Sequence, residues 1–264
     1  APTPVALAAV VALTLSACGS NNETTTAGDK PAPGTAGSSS AAGGVTGTVT
    51  VLAAASLTES FDQIKADFEA ANPGATIEVS YGSSATLVQQ VNGGAPANVI
   101  ALAGEAAAEP LDRAKVKQSS VFATNTLEIA VPEGNPGKVT GIADFGKADL
   151  RLVLCEASVP CGKAAATTLE KAKVNPSIDS FGSDVKATLR FVEQDEADAA
   201  IVYRSDVASA KDAVEGVEIP ANVNTSLRYP IIRLDDKPAT SAFVDYVTSD
   251  KGSATVQSFG LGAP

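Results

Sequence analysis

From Thr48 onward, short aliphatic runs alternate with segments whose apolar residues recur at helical spacing, and this alternation restricts the fold more than any other feature. Leu57, Phe61, Ile64 and Phe68 follow the period of an amphipathic helix. Strands alternating with helices predict an α/β protein. The predicted strands are Thr48–Ala53, Thr76–Tyr81, Asn98–Leu102, Leu127–Val131, Arg151–Leu154, Ala199–Val202 and Pro230–Leu234.

The first 47 residues do not share this pattern. Within residues 1–18, an apolar run ends in Leu15-Ser16-Ala17-Cys18, which resembles the cleavage box of a bacterial lipoprotein signal, where the cysteine is acylated. A plain secretory signal, or an apolar tail with a chance cysteine, is the alternative. Residues 19–47 are mostly small and polar, so they predict a flexible tether. We therefore expect an exported protein, lipid-anchored through Cys18 on the extracytoplasmic face of the cell membrane.

Charge and residue usage exclude several classes of function. The chain has 30 acidic against 19 basic residues, a net charge of −11, so binding to nucleic acid is not expected. It has no histidine, which removes the usual general base and the commonest transition-metal ligand. We expect neither a catalytic site nor a metal site. An enzyme that relies on a carboxylate or a lysine is the alternative.

Several predicted helices begin with small or hydroxyl-bearing residues. These starts are Ser56, Ser83-Ser84, Ser158–Gly162 and Gly182–Asp184. Ser56-Leu57-Thr58-Glu59 also fits a capping box, in which Glu59 reaches back to the cap amide. The free amides at such starts can hold an anion with neutral donors. Ordinary helix capping explains the same residues, so both interpretations stay open at this point.

Five motifs occur in an order that resembles a known family. They are Val51–Leu57, Tyr81–Leu87, Gly93–Ala97, Ser158–Gly162 and Ala199–Asp206. Together they resemble the periplasmic molybdate-binding proteins of ABC importers, the ModA family, over about residues 48–260. The resemblance implies a two-lobe, type II periplasmic binding protein fold, with a ligand cleft between lobes joined by two crossing strands. Lobe 1 would comprise residues 48–125 plus 229–264, and lobe 2 residues 126–228.

The same resemblance implies a ligand and the residues that bind it. Ser56 and Ser84 would each contribute a hydroxyl and an amide, Cys161 and Val185 would contribute amides, and Tyr203 its phenol. The implied function is that of a monomeric receptor without a cofactor. It would capture molybdate or tungstate and deliver the anion to the membrane permease of an ABC importer. The alternative is a receptor for another oxyanion such as sulfate, or for a small organic solute.

Other positions carry narrower expectations. Cys155 and Cys161 lie close together in an exported chain, so we expect a disulfide, with two free thiols as the alternative. We interpret Lys163 as a solvated lysine at a helix start and Asp206 as a helix cap. Asn98–Leu102 departs from the family pattern, which usually has Asp-Val-Phe and then a small or hydroxyl residue. This departure is expected to bear on cleft closure and affinity.

Overall fold

The computed structural model describes residues 44–264; the predicted signal, Cys18 and most of the tether lie outside this range. The strands are β1 (Thr46–Ala54), β2 (Gly74–Gly82), β3 (Val99–Ala101), β4 (Gln118–Pro132), β5 (Leu152–Cys155), β6 (Ser180–Gly182), β7 (Ala199–Tyr203), β8 (Val214–Val217) and β9 (Ser226–Arg233). The helices are α1 (Thr58–Ala71), α2 (Ser84–Asn92), α3 (Pro160–Lys171), α4 (Val185–Glu193), α5 (Arg204–Ala210), α6 (Pro238–Thr248) and α7 (Asp250–Ser258). The predicted α/β class is confirmed.

The strands form two parallel groups that are joined by antiparallel strands. β1 pairs in parallel with β2 and β3, and β5 pairs in parallel with β6 and β7. The strand order is β2-β1-β3-β9-β4-β7-β5-β6, with β8 paired to β4. Parallel neighbours require a crossover, and α1 to α4 provide these connections. All the described residues belong to one compact unit.

Strands β4 and β9 link the two groups. The first part of β4, Gln118–Thr126, runs antiparallel to β9, and the remainder pairs with β7 and β8. Only the apolar second part of β4 was predicted, because Gln118–Thr126 is polar and lacks an aliphatic run. The short strands β6 and β8 were missed for a related reason: each mixes polar and apolar residues, and its pairing depends on a neighbouring strand.

The apolar face of α1 packs as its spacing predicts. Phe61, Ile64 and Phe68 are buried. The Phe68 ring meets the rings of Phe243 and Tyr246 in α6 at centroid distances of 5.4 and 5.6 Å. The C-terminal helices therefore return to pack on the first helix of the chain. None of the helices in residues 44–264 is both long and apolar enough to cross a membrane.

This packing leads to a stability prediction. Phe68→Ala should lower the free energy of unfolding by about 3–5 kcal/mol, because it removes a fully buried ring and leaves a cavity between α1 and α6. Urea denaturation followed by circular dichroism measures the change. Phe181→Ala is the matched control, since the Phe181 side chain is 57% exposed, and it should change stability little. Equal losses in the two variants would contradict the described packing of α6 on α1.

Candidate functional site

The five residues that sequence resemblance selects line one small cavity. Ser56, Ser84, Cys161, Val185 and Tyr203 all contribute to its wall. The rest of the wall is made by Ala54, Ala55, Gly82, Ser83, Ala103, Val159, Pro160 and Asp184. About 20 Å³ is open to the centre of a water-sized sphere, and one water needs roughly 10–15 Å³ on that measure. The space therefore suits a compact ion of a few atoms.

Most of the wall is made by the starts of helices. Ser84 and Val185 are the first residues of α2 and α4, and Cys161 is the second residue of α3. Ser56 lies in a short 3₁₀ turn that leads into α1, and Tyr203 ends β7 just before α5. Amides in the first turn of a helix lack a partner within that helix, and the helix dipole makes this end positive. The wall is therefore suited to an anion.

The hydroxyl groups of Ser56, Ser84 and Tyr203 add to these amides, whereas that of Ser83 caps α2 by accepting the Thr86 amide. Ser84 Oγ accepts a hydrogen bond from the Ala103 amide at 2.9 Å, and Ser56 Oγ lies 3.1 Å from the Tyr229 hydroxyl oxygen. The buried Tyr203 hydroxyl has no hydrogen-bond partner among the described residues. Burial raises the pKa of Tyr203 well above its usual value, so its hydroxyl keeps its proton. Tyr203 thus keeps a hydrogen that it can donate.

Within the part of the chain that the structure describes, the cavity wall has a single ionisable carboxylate and no cationic side chain. The carboxylate, Asp184, precedes α4 and accepts a hydrogen bond from the Ala187 amide at 2.8 Å. Lys163 is exposed and lies in a groove outside the cavity, in line with its interpretation as a solvated lysine. An anion in this cavity would be bound by neutral donors.

The predicted capping box at Ser56 is wrong. Leu57 occupies the cap position of α1 and makes no side-chain capping bond. A 3₁₀ turn separates Ser56 from the helix, and its hydroxyl contacts Tyr229 instead. Glu59 does not reach back to the helix start, because its carboxylate binds the Lys186 ammonium at 2.8 and 2.9 Å.

Lys186 joins three of the helices that surround the cavity. Its ammonium in α4 binds Glu59 in α1 and lies 3.4 Å from Asp206 Oδ1 in α5. Burial raises the pKa of Asp206 to about 6, although the Lys186 ammonium pulls it downward. Burial acts to lower the pKa of Lys186, but the two carboxylates outweigh it and the net shift is upward. Asp206 also accepts the Tyr203 amide at 3.2 Å, which confirms the expected helix cap.

A disulfide holds the start of α3. Cys155 at the end of β5 is bonded to Cys161, with an S–S distance of 2.02 Å and a Cα separation of 5.7 Å. Gly162 follows, and a Cβ there would collide with the carbonyl oxygen of Glu156. Only glycine fits so close an approach of two backbone segments. The bond and the tight packing together position the Cys161 amide at the cavity.

The segment that departs from the family pattern forms the central strand β3 and its borders. Asn98 accepts a hydrogen bond from the Thr50 amide and donates one to Asp235, each at 2.7 Å, so its side chain is a structural link. No residue of Asn98–Leu102 lines the cavity. The next residue, Ala103, does line it and binds Ser84.

Sequence reasoning missed two buried residues behind Ser56. Asn125 lies on β4 and Tyr229 on β9, and both approach Ser56 only because these two strands pair. The only local signal was a polar or aromatic residue in a strand that is otherwise largely buried. Without the pairing of β4 and β9, nothing in the sequence connects them to the cavity.

Comparison with known proteins now assigns the family. The family model "Bacterial extracellular solute-binding protein" matches residues 49–262. The molybdate-binding protein ModA of Mycobacterium tuberculosis H37Rv is 32% identical over 263 residues, which cover 98% of this chain and 96% of that protein. The chain belongs to the ModA family of bacterial extracellular solute-binding proteins. As a member of this family it is a solute-binding protein and not an enzyme.

Two further relatives of this ModA family member are informative. The Bacillus subtilis protein YvgL, described as a substrate-binding lipoprotein of an ABC transporter, is 28% identical over 226 residues, covering 82% of this chain and 86% of YvgL. The structure of the periplasmic molybdate-binding protein of Azotobacter vinelandii superposes with a TM-score of 0.69 at 20% identity, covering 82% of this chain and 99% of that one. The expected periplasmic binding protein fold is confirmed.

The buried carboxyl of Asp206 leads to a prediction about pH. Its folded-state pKa of about 6 exceeds the ordinary value of 3.8, so the folded protein binds this proton more tightly than the unfolded chain. The stability contributed by this group is present below about pH 4 and is lost as the pH rises through about 6. The free energy of unfolding of the parent, relative to that of Asp206→Asn, should therefore decrease as the pH rises from about 4 to about 6.

Urea denaturation of both proteins at a series of pH values measures this difference. Asp212→Asn, at an exposed position in the turn after α5, is the matched control. If the free energy of unfolding of the parent, relative to that of Asp206→Asn, increased with pH, the upward pKa shift assigned to Asp206 would be contradicted.

Proposed function

We propose that this protein captures molybdate or tungstate in the cavity and delivers the anion to the membrane permease of an ABC importer. The observation that carries the proposal is a small cavity of about 20 Å³ whose wall offers helix starts and the hydroxyls of Ser56, Ser84 and Tyr203 but no cation among the described residues. The 32% identical relative from Mycobacterium tuberculosis is named a molybdate-binding protein, which supports the same ligand.

In this proposal, the five cavity residues bind the anion as the resemblance implies. Ser56 and Ser84 donate through hydroxyl and amide, Cys161 and Val185 through their amides, and Tyr203 through its phenol. A dianion is costly to remove from water, and several hydrogen bonds to a charged acceptor, each contributing about 1.5–3 kcal/mol, offset that cost. Donors fixed at helix starts also set the size of the ligand that can meet all of them.

We also propose that the ligand joins two lobes. Residues 48–125 with 229–264 would form lobe 1, which contains Ser56 and Ser84. Residues 126–228 would form lobe 2, which contains Cys161, Val185 and Tyr203. An anion that contacts both would favour the closed arrangement, as in hinge closure around a ligand. The ion pair between Glu59 and Lys186 would then be a contact across the cleft.

Localisation is the third part of the proposal. The protein would be anchored by an acylated Cys18, outside the described residues, and held on the extracytoplasmic face by the predicted tether. The related YvgL is described as a lipoprotein, which supports this arrangement. One acyl chain gives only marginal membrane binding, so more than one chain is required.

The anchor is tested by fractionation. Expressed in a bacterium with its export signal, the parent should partition into the membrane fraction, and Cys18→Ser should move it to the soluble fraction. Unchanged partitioning would contradict lipid anchoring while leaving the proposed ligand unaffected.

The donor set is tested by substitution. Ser56→Ala and Ser84→Ala should each weaken molybdate binding by about 10- to 150-fold, since each removes a hydrogen bond to a charged acceptor. Isothermal titration calorimetry measures the dissociation constants. Lys163→Ala is the control and should change affinity little, because Lys163 lies outside the cavity. A larger loss in Lys163→Ala than in either serine variant would show that a cation dominates binding.

The identity of the ligand is tested by competition among anions. Molybdate and tungstate share charge, shape and nearly the same size, so they should bind with comparable affinity. Sulfate is smaller and would leave some buried donors unpaired, so it should bind at least about 100-fold more weakly. Equal binding of sulfate would indicate a general oxyanion receptor. Binding of an organic solute in preference to every oxyanion would overturn the proposal.

A further inference from the structure

A line of buried polar side chains runs from β4 to the cavity through Ser56. The Tyr229 hydroxyl oxygen lies 3.1 Å from Ser56 Oγ and 3.3 Å from Asn125 Nδ2. Asn125 Nδ2 also donates to Ser205 Oγ at 2.7 Å. Asn125 is 3% exposed and Tyr229 is fully buried. Buried polar groups such as these rely on one another for hydrogen bonds.

The orientation of the Asn125 amide sets the direction of these bonds. Its Oδ1 accepts a hydrogen bond from the Thr126 amide at 3.0 Å, so the Nδ2 hydrogens face Ser205 and Tyr229. The Tyr229 oxygen therefore accepts from Asn125. Among the described residues, Ser56 Oγ is the one hydrogen-bonding neighbour of Tyr229 that can accept its proton.

The serine is thereby constrained. With the Tyr229 proton directed at Ser56 Oγ, the serine hydrogen cannot point toward Tyr229 and is left for the cavity. The Ser84 oxygen likewise accepts a hydrogen bond, from the Ala103 amide, so its own hydrogen is not used in that bond. Tyr203 adds a hydroxyl that has no partner among the described residues. All three hydroxyls thus have a hydrogen available for a ligand.

We propose that Tyr229, oriented by Asn125, is a positioning residue that holds the Ser56 hydroxyl as a donor and so helps the cavity select fully deprotonated oxyanions over hydrogen phosphate. The proposal rests on the proposed function. Molybdate and tungstate only accept hydrogen bonds, whereas hydrogen phosphate must also donate one. The one carboxylate of the described wall, Asp184, already accepts the Ala187 amide at the start of α4. A serine held as a donor adds only a poor acceptor for the phosphate proton, and an unpaired buried donor is costly. Tyr229 touches Ser56 rather than the cavity, so it acts through the serine.

The test measures the ratio of phosphate to molybdate dissociation constants by titration calorimetry at mildly alkaline pH, where both ligands are mainly dianions. In Tyr229→Phe the Ser56 hydroxyl is free to turn and accept, so this ratio should fall by about tenfold or more. Asn125→Leu removes the group that orients Tyr229, and it should lower the ratio in the same direction. Tyr246→Phe is the matched control, since Tyr246 packs on Phe68 in the core, and it should leave the ratio unchanged.

A double-substitution cycle separates an effect of Tyr229 that acts through Ser56 from a general structural effect. In a Ser56→Ala background, Tyr229→Phe should no longer change the ratio, because the hydroxyl through which it acts is gone. The proposed role of Tyr229 would be overturned if Tyr229→Phe weakened the binding of both anions equally. A change in the ratio that persists in the Ser56→Ala background would also overturn it. Thermal unfolding verifies that each variant is folded. If Tyr229→Phe is not folded, the same ratio is measured in Asn125→Leu instead. A parent protein that binds no oxyanion would instead refute the proposed function.

Discussion

Buried hydrogen-bond donors that converge on one small space are the constraint around which this structure is organised. The starts of α2, α3 and α4 and the turn before α1 lie in the wall of a cavity that also receives the hydroxyls of Ser56, Ser84 and Tyr203. Buried donors without an acceptor are costly, whereas a small anion satisfies many of them at once. A folded chain arranged in this way is therefore suited to binding, and its helices and strands supply the positions of the donors.

The donors are held in place by different interactions at different corners. A disulfide and a close backbone approach at Gly162 hold the start of α3. Lys186 draws the carboxylates of Glu59 and Asp206 together, so α1, α4 and α5 are joined by one half-buried ammonium. Because Asp206 is fully buried, removing Lys186 would leave a buried carboxylate unpaired, which costs more than the pair itself contributes. Among the described residues the cavity wall has no cationic side chain, and Lys186, Glu59 and Asp206 lie behind it.

Size and hydrogen-bond direction are separate sources of selectivity in such a cavity. The small volume limits which ligand can enter and how many donors it can meet. The direction of the hydrogen bonds depends on side chains outside the wall, above all Tyr229 and Asn125. The segment Asn98–Leu102, which departs from the family pattern, does not line the cavity, and Asn98 links Thr50 to Asp235. Its expected effect on cleft closure and affinity stays a prediction.

The sequence by itself determined the α/β class, the strands with aliphatic runs, the apolar face of α1 and, through a resemblance, the five residues that meet at the cavity. These features are local, because periodicity and short motifs are read within a few residues. Tertiary structure decided the rest. The polar half of β4 is a strand only because β9 pairs with it, and that pairing alone brings Asn125 and Tyr229 behind Ser56. Glu59 left its predicted capping role because Lys186, 127 residues away in the chain, offers its carboxylate a charged partner that no local pattern reveals.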